Sequence, residues 1–219
     1  MCSRAKAAYS LLTVLRSPYA RKVRITLAEK GIPFELQTEV PWDSTTNTPQ
    51  HNPLEKLPVL IPNEGKPVYE SHFILEWLEA KYPPPRYYGI HPRTQDDLLF
   101  AKQVEVVCDG MCDACVMLFF EKQREYPSQE WSARQMRKVE GGLKALGEWV
   151  GEKDFLVEDR LTLADIAAGS VLGYMTVRFQ DFPWREKYPN LVRYCDRLEE
   201  RESFKNTKPY PQKISDKIV

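Results

Sequence analysis

The stretch AYSLLTVLRSPYARKVRITLAEKG, Ala8 to Gly31, changes its periodicity once, at Ser17-Pro18. Ala8 to Leu15 is rich in apolar and β-prone residues and reads as a strand. Ser17-Pro18 then opens a helix in which Val23, Leu27 and Ala28 recur at helical spacing, and Gly31 stops it. Working outward, FELQTEV after Pro33 alternates as a second strand. WDSTTNTPQHNP, Trp42 to Pro53, is a polar loop interrupted by proline. KLPVLIP and KPVYE bracket an NEG turn as a hairpin, and a helix follows, ESHFILEWLEAKY, with Phe73, Ile74, Trp77 and Leu78 on one face. This order of elements predicts a small mixed sheet with helices packed on it.

PPPRYYGIHP, Pro83 to Pro92, cannot continue a helix, because its prolines lack amide donors and fix φ. It reads as a linker. Beyond it, apolar residues at three- and four-residue spacing predict helices over 94–125, 128–151, 163–179 and 190–202. The expected division is an α/β domain over 1–82, a linker over 83–92 and an all-helical domain over 93–219. A chain of 219 residues can bury a sizeable core without disulfide or metal support.

Composition narrows the function classes. Lys plus Arg and Asp plus Glu number 31 each, and no basic tract is present, so neither nucleic acid nor an anionic membrane is an expected partner. No apolar run approaches the roughly 20 residues that cross a bilayer. At the N-terminus, Ser10, Thr13 and Arg16 interrupt the apolar run, which fits a strand better than a signal peptide. The cysteines lack the spread of a secreted disulfide framework, so the expected compartment is the reducing cytoplasm.

Cys108, Cys112 and Cys115 raise the question of a metal cluster. Their i, i+4, i+7 spacing puts them on one face of the long helix, with the outer thiols roughly 10 Å apart. A tetrahedral zinc site needs a fourth ligand, and His51, His72 and His91 all lie in the first half without ligand-like spacing to them. The expectation is a packed helix face and no metal. Asp109 and Asp113 sit one turn apart beside this face, with Gly110 between them.

The strand, S-P-Y-A-R-K, a helix, L-P-V-L, Y-E-S at a second helix start, and an all-helical second half together resemble the cytosolic glutathione transferase superfamily over essentially the whole chain. The resemblance implies a thioredoxin-like glutathione-binding domain followed by a helical domain that supplies the acceptor site. It is nearest to a Ser-type subgroup found in bacteria and fungi. It also implies a homodimer, glutathione as co-substrate and no further cofactor.

Four motifs carry implied roles. Ser17 occupies the catalytic position at the end of the first strand, where a hydroxyl and a helix N-terminus can stabilise a thiolate. It is also a good N-cap before Pro at N1. Arg16 and Arg21 can add positive potential, and Tyr19 can replace Ser17 as donor or line the acceptor site. The resemblance makes Leu57-Pro58 cis and has the main chain at Val59 pair with glutathione, with Lys56 placed to meet a carboxylate. Glu70 and Ser71 would hold the γ-glutamyl ammonium and carboxylate, although both residue types also cap helices. D-G-x-x-D makes Asp113 the acid that reaches glutathione in a neighbouring subunit, and Asp109 an interfacial one. The acceptor site is expected between the domains near Tyr19, Phe119, Phe120 and Tyr174. L-T-L-A-D-I, Leu161 to Ile166, forms a capping box in which Thr162 and Asp165 are folding residues.

The expected activity is conjugation of the glutathione thiolate to a small hydrophobic electrophile, or displacement of a group from one. Two alternatives stand beside it. A thiol transferase or dehydroascorbate reductase would normally carry Cys at the Ser17 position. A non-catalytic interaction module of the same fold would not need to ionise glutathione.

Overall fold

A computed structural model describes residues 7–210, which form two units: the residues up to Ile90 together with those from Glu202, and His91–Arg201. In the first unit β1 (Tyr9–Thr13) leads into α1 (Pro18–Glu29), then β2 (Phe34–Thr38), α2 (Thr48–His51), β3 (Val59–Pro62), β4 (Val68–Tyr69) and α3 (Ser71–Lys81). The sheet order is β2-β1-β3-β4, with β1 parallel to β2 and antiparallel to β3. Central position explains the consecutive leucines of β1: Leu11 and Leu12 point to opposite faces, and both are buried. β2 lies on the edge, and its Glu35-Leu36-Gln37-Thr38 run is exposed throughout.

α1 ends as the sequence indicates. Gly31 takes φ 65°, and the amides of Gly31 and Ile32 close onto the carbonyls of Ala28 and Leu27 at 3.0 and 2.9 Å. Its buried face is broader than the apolar pattern. Val23, Ile25 and Leu27 are fully buried while Ala28 is exposed, and Arg21, Lys22 and Arg24 are buried as well. The reason is a second covering layer, because the chain returns at α9 (Glu202–Lys205) and packs on α1. There Arg21 Nη2 donates to the Phe204 carbonyl (3.2 Å), and its guanidinium stands 5.4 Å from the centre of the Phe204 ring. Arg24 Nη2 donates to the Asn206 carbonyl (3.0 Å). The pattern alone assigns everything after residue 92 to the helical domain, and this return lies too far along the chain for a local pattern to show.

The other end of α1 is tied down by Lys30. Its fully buried ammonium meets Glu79 Oε2 at 2.6 Å and the carbonyls of Tyr82 and Tyr88 at 2.9 and 2.7 Å. The non-helical segment after α3 is thereby fastened to α1 and α3. On α3 the stripe facing the sheet is Ser71, Ile74, Leu75 and Leu78, while Phe73, expected on the apolar face, is 54% exposed.

The second unit contains α4 (Gln95–Glu121), α5 (Gln129–Val150), α6 (Leu163–Arg178), α7 (Trp184–Lys187) and α8 (Pro189–Glu199). α4 begins where Thr94 Oγ1 accepts from the Asp97 amide (3.1 Å), and α5 begins where Ser128 accepts from the Trp131 amide (3.2 Å). Cys108, Cys112 and Cys115 are 1%, 3% and 0% exposed and form part of the face α4 buries, and burial pushes the Cys115 thiol up to about 12. At the start of α6 the buried Asp165 carboxylate accepts from Leu156 N (2.8 Å), Thr162 N (2.8 Å), Thr162 Oγ1 (3.0 Å) and Tyr194 Oη (2.7 Å). Burial, and then the neighbouring Asp165, push the Tyr194 hydroxyl well above its ordinary range, so it remains a neutral donor. Among the described residues no helix is long and apolar enough to cross a membrane.

α4 packs tightly against α5 at Gly142, where an added Cβ would lie 2.3 Å from Met111 Sδ, whereas one at Gly141 would meet nothing within 4 Å. Gly142→Ala should therefore destabilise the protein by about 1–3 kcal/mol through overpacking. Gly141→Ala should stabilise it by up to about 1 kcal/mol through helix propensity. Urea unfolding of the two variants reads this opposition, and equal effects would contradict the packing at Met111.

Candidate functional site

The sheet register collects the sequence-predicted residues of the first unit at one end. Leu12 stands opposite Val59, and Val59 opposite Tyr69, so one cross-strand row runs through β1, β3 and β4. Ser17 follows that row at the end of β1, Pro58 precedes it on β3, and Glu70 and Ser71 follow it after β4. Strand spacing puts these segments side by side, because neighbouring strands lie about 4.8 Å apart.

Ser17 is the N-cap of α1. It is half-buried, and its Oγ accepts from the Ala20 amide at 3.2 Å. A hydroxyl has one donor and two acceptor positions. The cap uses an acceptor position, and among the described residues no group takes the hydroxyl proton. Pro18 and Tyr19 occupy the first turn, with Tyr19 half-buried. The first-turn amides and the aligned peptide dipoles make this end of α1 positive.

Leu57-Pro58 is cis, as the family resemblance implies, and Pro84-Pro85 is cis as well. Val59 is fully buried, so only its main chain is available for recognition. Lys56 is exposed, and its position is set by a residue that the sequence reading passed over. Asn52 is 2% exposed; its Nδ2 donates to the Lys56 carbonyl (2.8 Å), and its Oδ1 accepts from the Leu54 amide (2.9 Å). Glu55 takes φ 54° inside this turn. An Asn-Pro pair in a polar loop was the available signal, since Asn side chains bind backbone groups two residues on.

Glu70 caps α3, accepting the His72 amide, and Ser71 Oγ lies 3.4 Å from Glu70 Oε1. Glu70 is exposed while Ser71 is 4% exposed at the first helical position. A carboxylate and a helix N-terminus therefore stand together, one able to accept from an ammonium and the other to bind a carboxylate.

The remaining candidates lie in the second unit. Asp113 is exposed on α4, and Asp109 is half-buried one turn earlier. Phe119 and Phe120 are half-buried, with ring centres 5.4 Å apart, and Arg178 covers Phe119 at 4.4 Å. Tyr174 is 5% exposed and belongs to the interior of its unit, on a helix buried almost all round. Periodicity cannot separate such an aromatic from one that lines a cavity.

Residues 16–81 match the family model described as glutathione S-transferase, N-terminal domain, and residues 129–197 match the corresponding C-terminal domain. An uncharacterised GST-like protein of Escherichia coli is 33% identical, over 88% of this chain and 95% of its own length. A probable glutathione S-transferase of Nicotiana tabacum is 30% identical, over 90% and 91%. Among solved structures, a glutathione S-transferase from Methylobacterium radiotolerans in complex with glutathione sulfonate is 55% identical with a TM-score of 0.92, covering 96% of this chain and 99% of that one. A glutathione S-transferase from Methylobacillus flagellatus with glutathione bound is 35% identical with a TM-score of 0.86, covering 92% and 99%. The chain belongs to the glutathione S-transferase family of enzymes.

The capping role of Ser17 is testable apart from any chemistry. Ser17→Ala should lower stability by about 1 kcal/mol, and Ser17→Gly by less, because the Ala20 amide loses its acceptor. Chemical denaturation of the unliganded chain measures both, and an unchanged midpoint in Ser17→Ala would show that the cap contributes nothing.

Proposed function

We propose that the protein binds glutathione at the Ser17 end of the first unit's sheet, ionises its thiol, and transfers the thiolate to a small hydrophobic electrophile. The observation that carries this reading is the Ser17 hydroxyl at a helix N-terminus, its proton unclaimed among the described residues, beside Val59 and Glu70-Ser71 in one register-defined cluster. The ligands bound by the two bacterial relatives, glutathione sulfonate and glutathione, support it.

In this mechanism the cysteinyl backbone of glutathione pairs with the main chain at Val59. Glu70 accepts from the γ-glutamyl ammonium, the Ser71 end of α3 binds the γ-glutamyl carboxylate, and Lys56 meets a carboxylate from its exposed turn. The thiol then lies by Ser17, whose hydroxyl donates to sulfur while still capping α1. A free thiol has a pKa near 8.5, and lowering it by about two units requires roughly 2.7 kcal/mol of preference for the thiolate. A hydroxyl hydrogen bond and the helix end together supply stabilisation of that order.

The thiol proton leaves to solvent. The sulfur electron pair forms a C–S bond at the electrophilic carbon, either adding to it or expelling a leaving group with its bonding electrons. Asp113 acts in this scheme on glutathione bound by the partner of a homodimer, and Asp109 supports that interface. Tyr19 and Phe119 are the aromatic candidates for the acceptor side. Glutathione is a co-substrate, no separate cofactor enters the scheme, and the cytoplasm supplies glutathione in its thiol form.

Titrating the thiolate absorbance of glutathione against pH in the presence of the protein tests the reading. The bound thiol should ionise well below about 8.5, and Ser17→Ala should return it toward that value. An unshifted pKa in the wild type would remove the catalytic role. Lys56→Met should raise the glutathione KM about three- to fivefold with little change in kcat, the scale of one exposed ion pair; a fall in kcat alone would place Lys56 elsewhere in the reaction.

A further inference from the structure

α6 is buried from Leu163 to Met175, and it reaches solvent only in its last turn, which ends in Arg178. That turn meets the C-terminal turn of α4, because the two helices pack along each other. Two cations cross over there. Arg178 of α6 lies over Phe119 of α4, with its guanidinium carbon 4.4 Å from the ring centre. Lys122, the C-cap of α4, stands 5.7 Å from the centre of Phe179, the C-cap of α6. Phe119 is set against Phe120 in turn, edge to face, with planes at 72°.

The Arg178 side chain is half-buried, yet among the described residues no acceptor takes its N–H groups. Arg21, Arg24 and Arg160, which are buried or half-buried as well, each donate to a main-chain carbonyl, at 3.2, 3.0 and 2.6 Å. The carboxylates near Arg178 in the fold are not its partners. Glu121 accepts from the Ser128 amide (2.7 Å) and pairs with Arg124 (3.3 Å), and Asp181 forms no ion pair with Arg178. The negative end of α6 favours a cation in this turn, but an exposed side chain would answer it as well. A guanidinium held on a ring with its N–H groups unspent is the form in which arginine receives a carboxylate, packed through its face and bidentate through its edge.

We propose that Arg178 sets the specificity of the transfer by holding a carboxylate on the acceptor, so that the preferred electrophile is a planar, conjugated carboxylic acid rather than a neutral compound. This rests on the reading of Phe119 as an acceptor-side ring, and it adds the polar contact that orients whatever lies against that ring. Lys122 contributes positive potential without fixed geometry, since its side chain is exposed. Arg178 touches no reacting atom in this scheme.

The matched pair 4-chloro-3,5-dinitrobenzoate and its methyl ester reads the effect in the full chain. In both, the thiolate sulfur bonds to the carbon that carries chlorine, and chloride leaves with the electrons of the broken C–Cl bond. Each variant is compared with the wild type on the same substrate, so intrinsic reactivity cancels. Arg178→Gln should lower kcat/KM for the acid about tenfold, mainly through KM, and for the ester by no more than about twofold. Arg178→Lys should recover part of the loss with a steeper salt dependence. Gln keeps good helix propensity, and circular dichroism should show both variants folded. A second readout needs no turnover: 3,5-dinitrobenzoate, which has no leaving group, is titrated into the glutathione-bound chain and followed by quenching of tryptophan fluorescence. Arg178→Gln should weaken it about tenfold and its methyl ester hardly at all. A bound thiol that fails to ionise would abolish turnover of acid and ester together and leave this binding difference in place, so the two readings fail separately. Equal losses for acid and ester, or an acid indifferent to Arg178→Gln, overturn the proposal.

Discussion

A fully buried ionisable group with each of its hydrogen-bonding positions answered is what each unit of this protein is organised around. In the first unit it is the Lys30 ammonium, whose three donors match Glu79 and the carbonyls of Tyr82 and Tyr88. In the second it is the Asp165 carboxylate, reached by two amides and two hydroxyls. Such groups are expensive to bury: breaking the Lys30–Glu79 pair leaves an uncompensated charge that costs about 3–5 kcal/mol, and burial pushes the Asp165 carboxyl above its ordinary range while its four donors hold it down. They do not add much net stability, but they admit few alternative arrangements. Lys30 fixes where the chain leaves α3, and Asp165 fixes where α6 begins relative to Leu156 and α8.

The candidate site depends on this fixity through the sheet. Ser17, Val59 and Ser71 are separated in sequence by tens of residues, and they converge because β1, β3 and β4 share one register. Val59 and Leu60 are both fully buried on opposite faces of the sheet, so a slip of one residue in β3 would put each side chain into the other's packing environment. The turn at Asn52 positions Lys56 on a smaller scale. The recognition groups proposed for this first unit are largely main chain and helix ends, which lose little conformational freedom on binding, whereas the exposed Lys56 and Glu70 side chains would lose more.

Much of this was legible in the sequence where proline and glycine punctuate it. Ser17-Pro18 and Gly31 bound α1, and Ser128 and Gly151 flank α5, because those residues have few other uses at such positions. The resemblance carried further than periodicity, through motifs such as S-P and L-P-V and their order, and the family assignment agrees with it. What could not be read depended on distant partners. Arg21, Lys22 and Arg24 look like a solvated face, and Arg21 and Arg24 are buried under carbonyls of the returning segment some 180 residues later. Phe73 and Tyr174 show the same limit from the apolar side: the more hydrophobic ring stands in water and the one with a polar hydroxyl is in the interior. The four-residue helices α2, α7 and α9 are too short to leave a periodic signal.

The return of the chain at Glu202 also bears on how the protein is made. α1 leaves the ribosome well ahead of the oxygens that receive Arg21 and Arg24, which belong to Phe204, Thr207 and Asn206. The whole second unit is synthesised in between. At translation rates of about 5–20 residues per second, α1 waits on the order of ten seconds with its cationic face still hydrated. The second unit can finish folding first, and the unit that carries Ser17 is completed last, by the arrival of the segment that closes over its first helix.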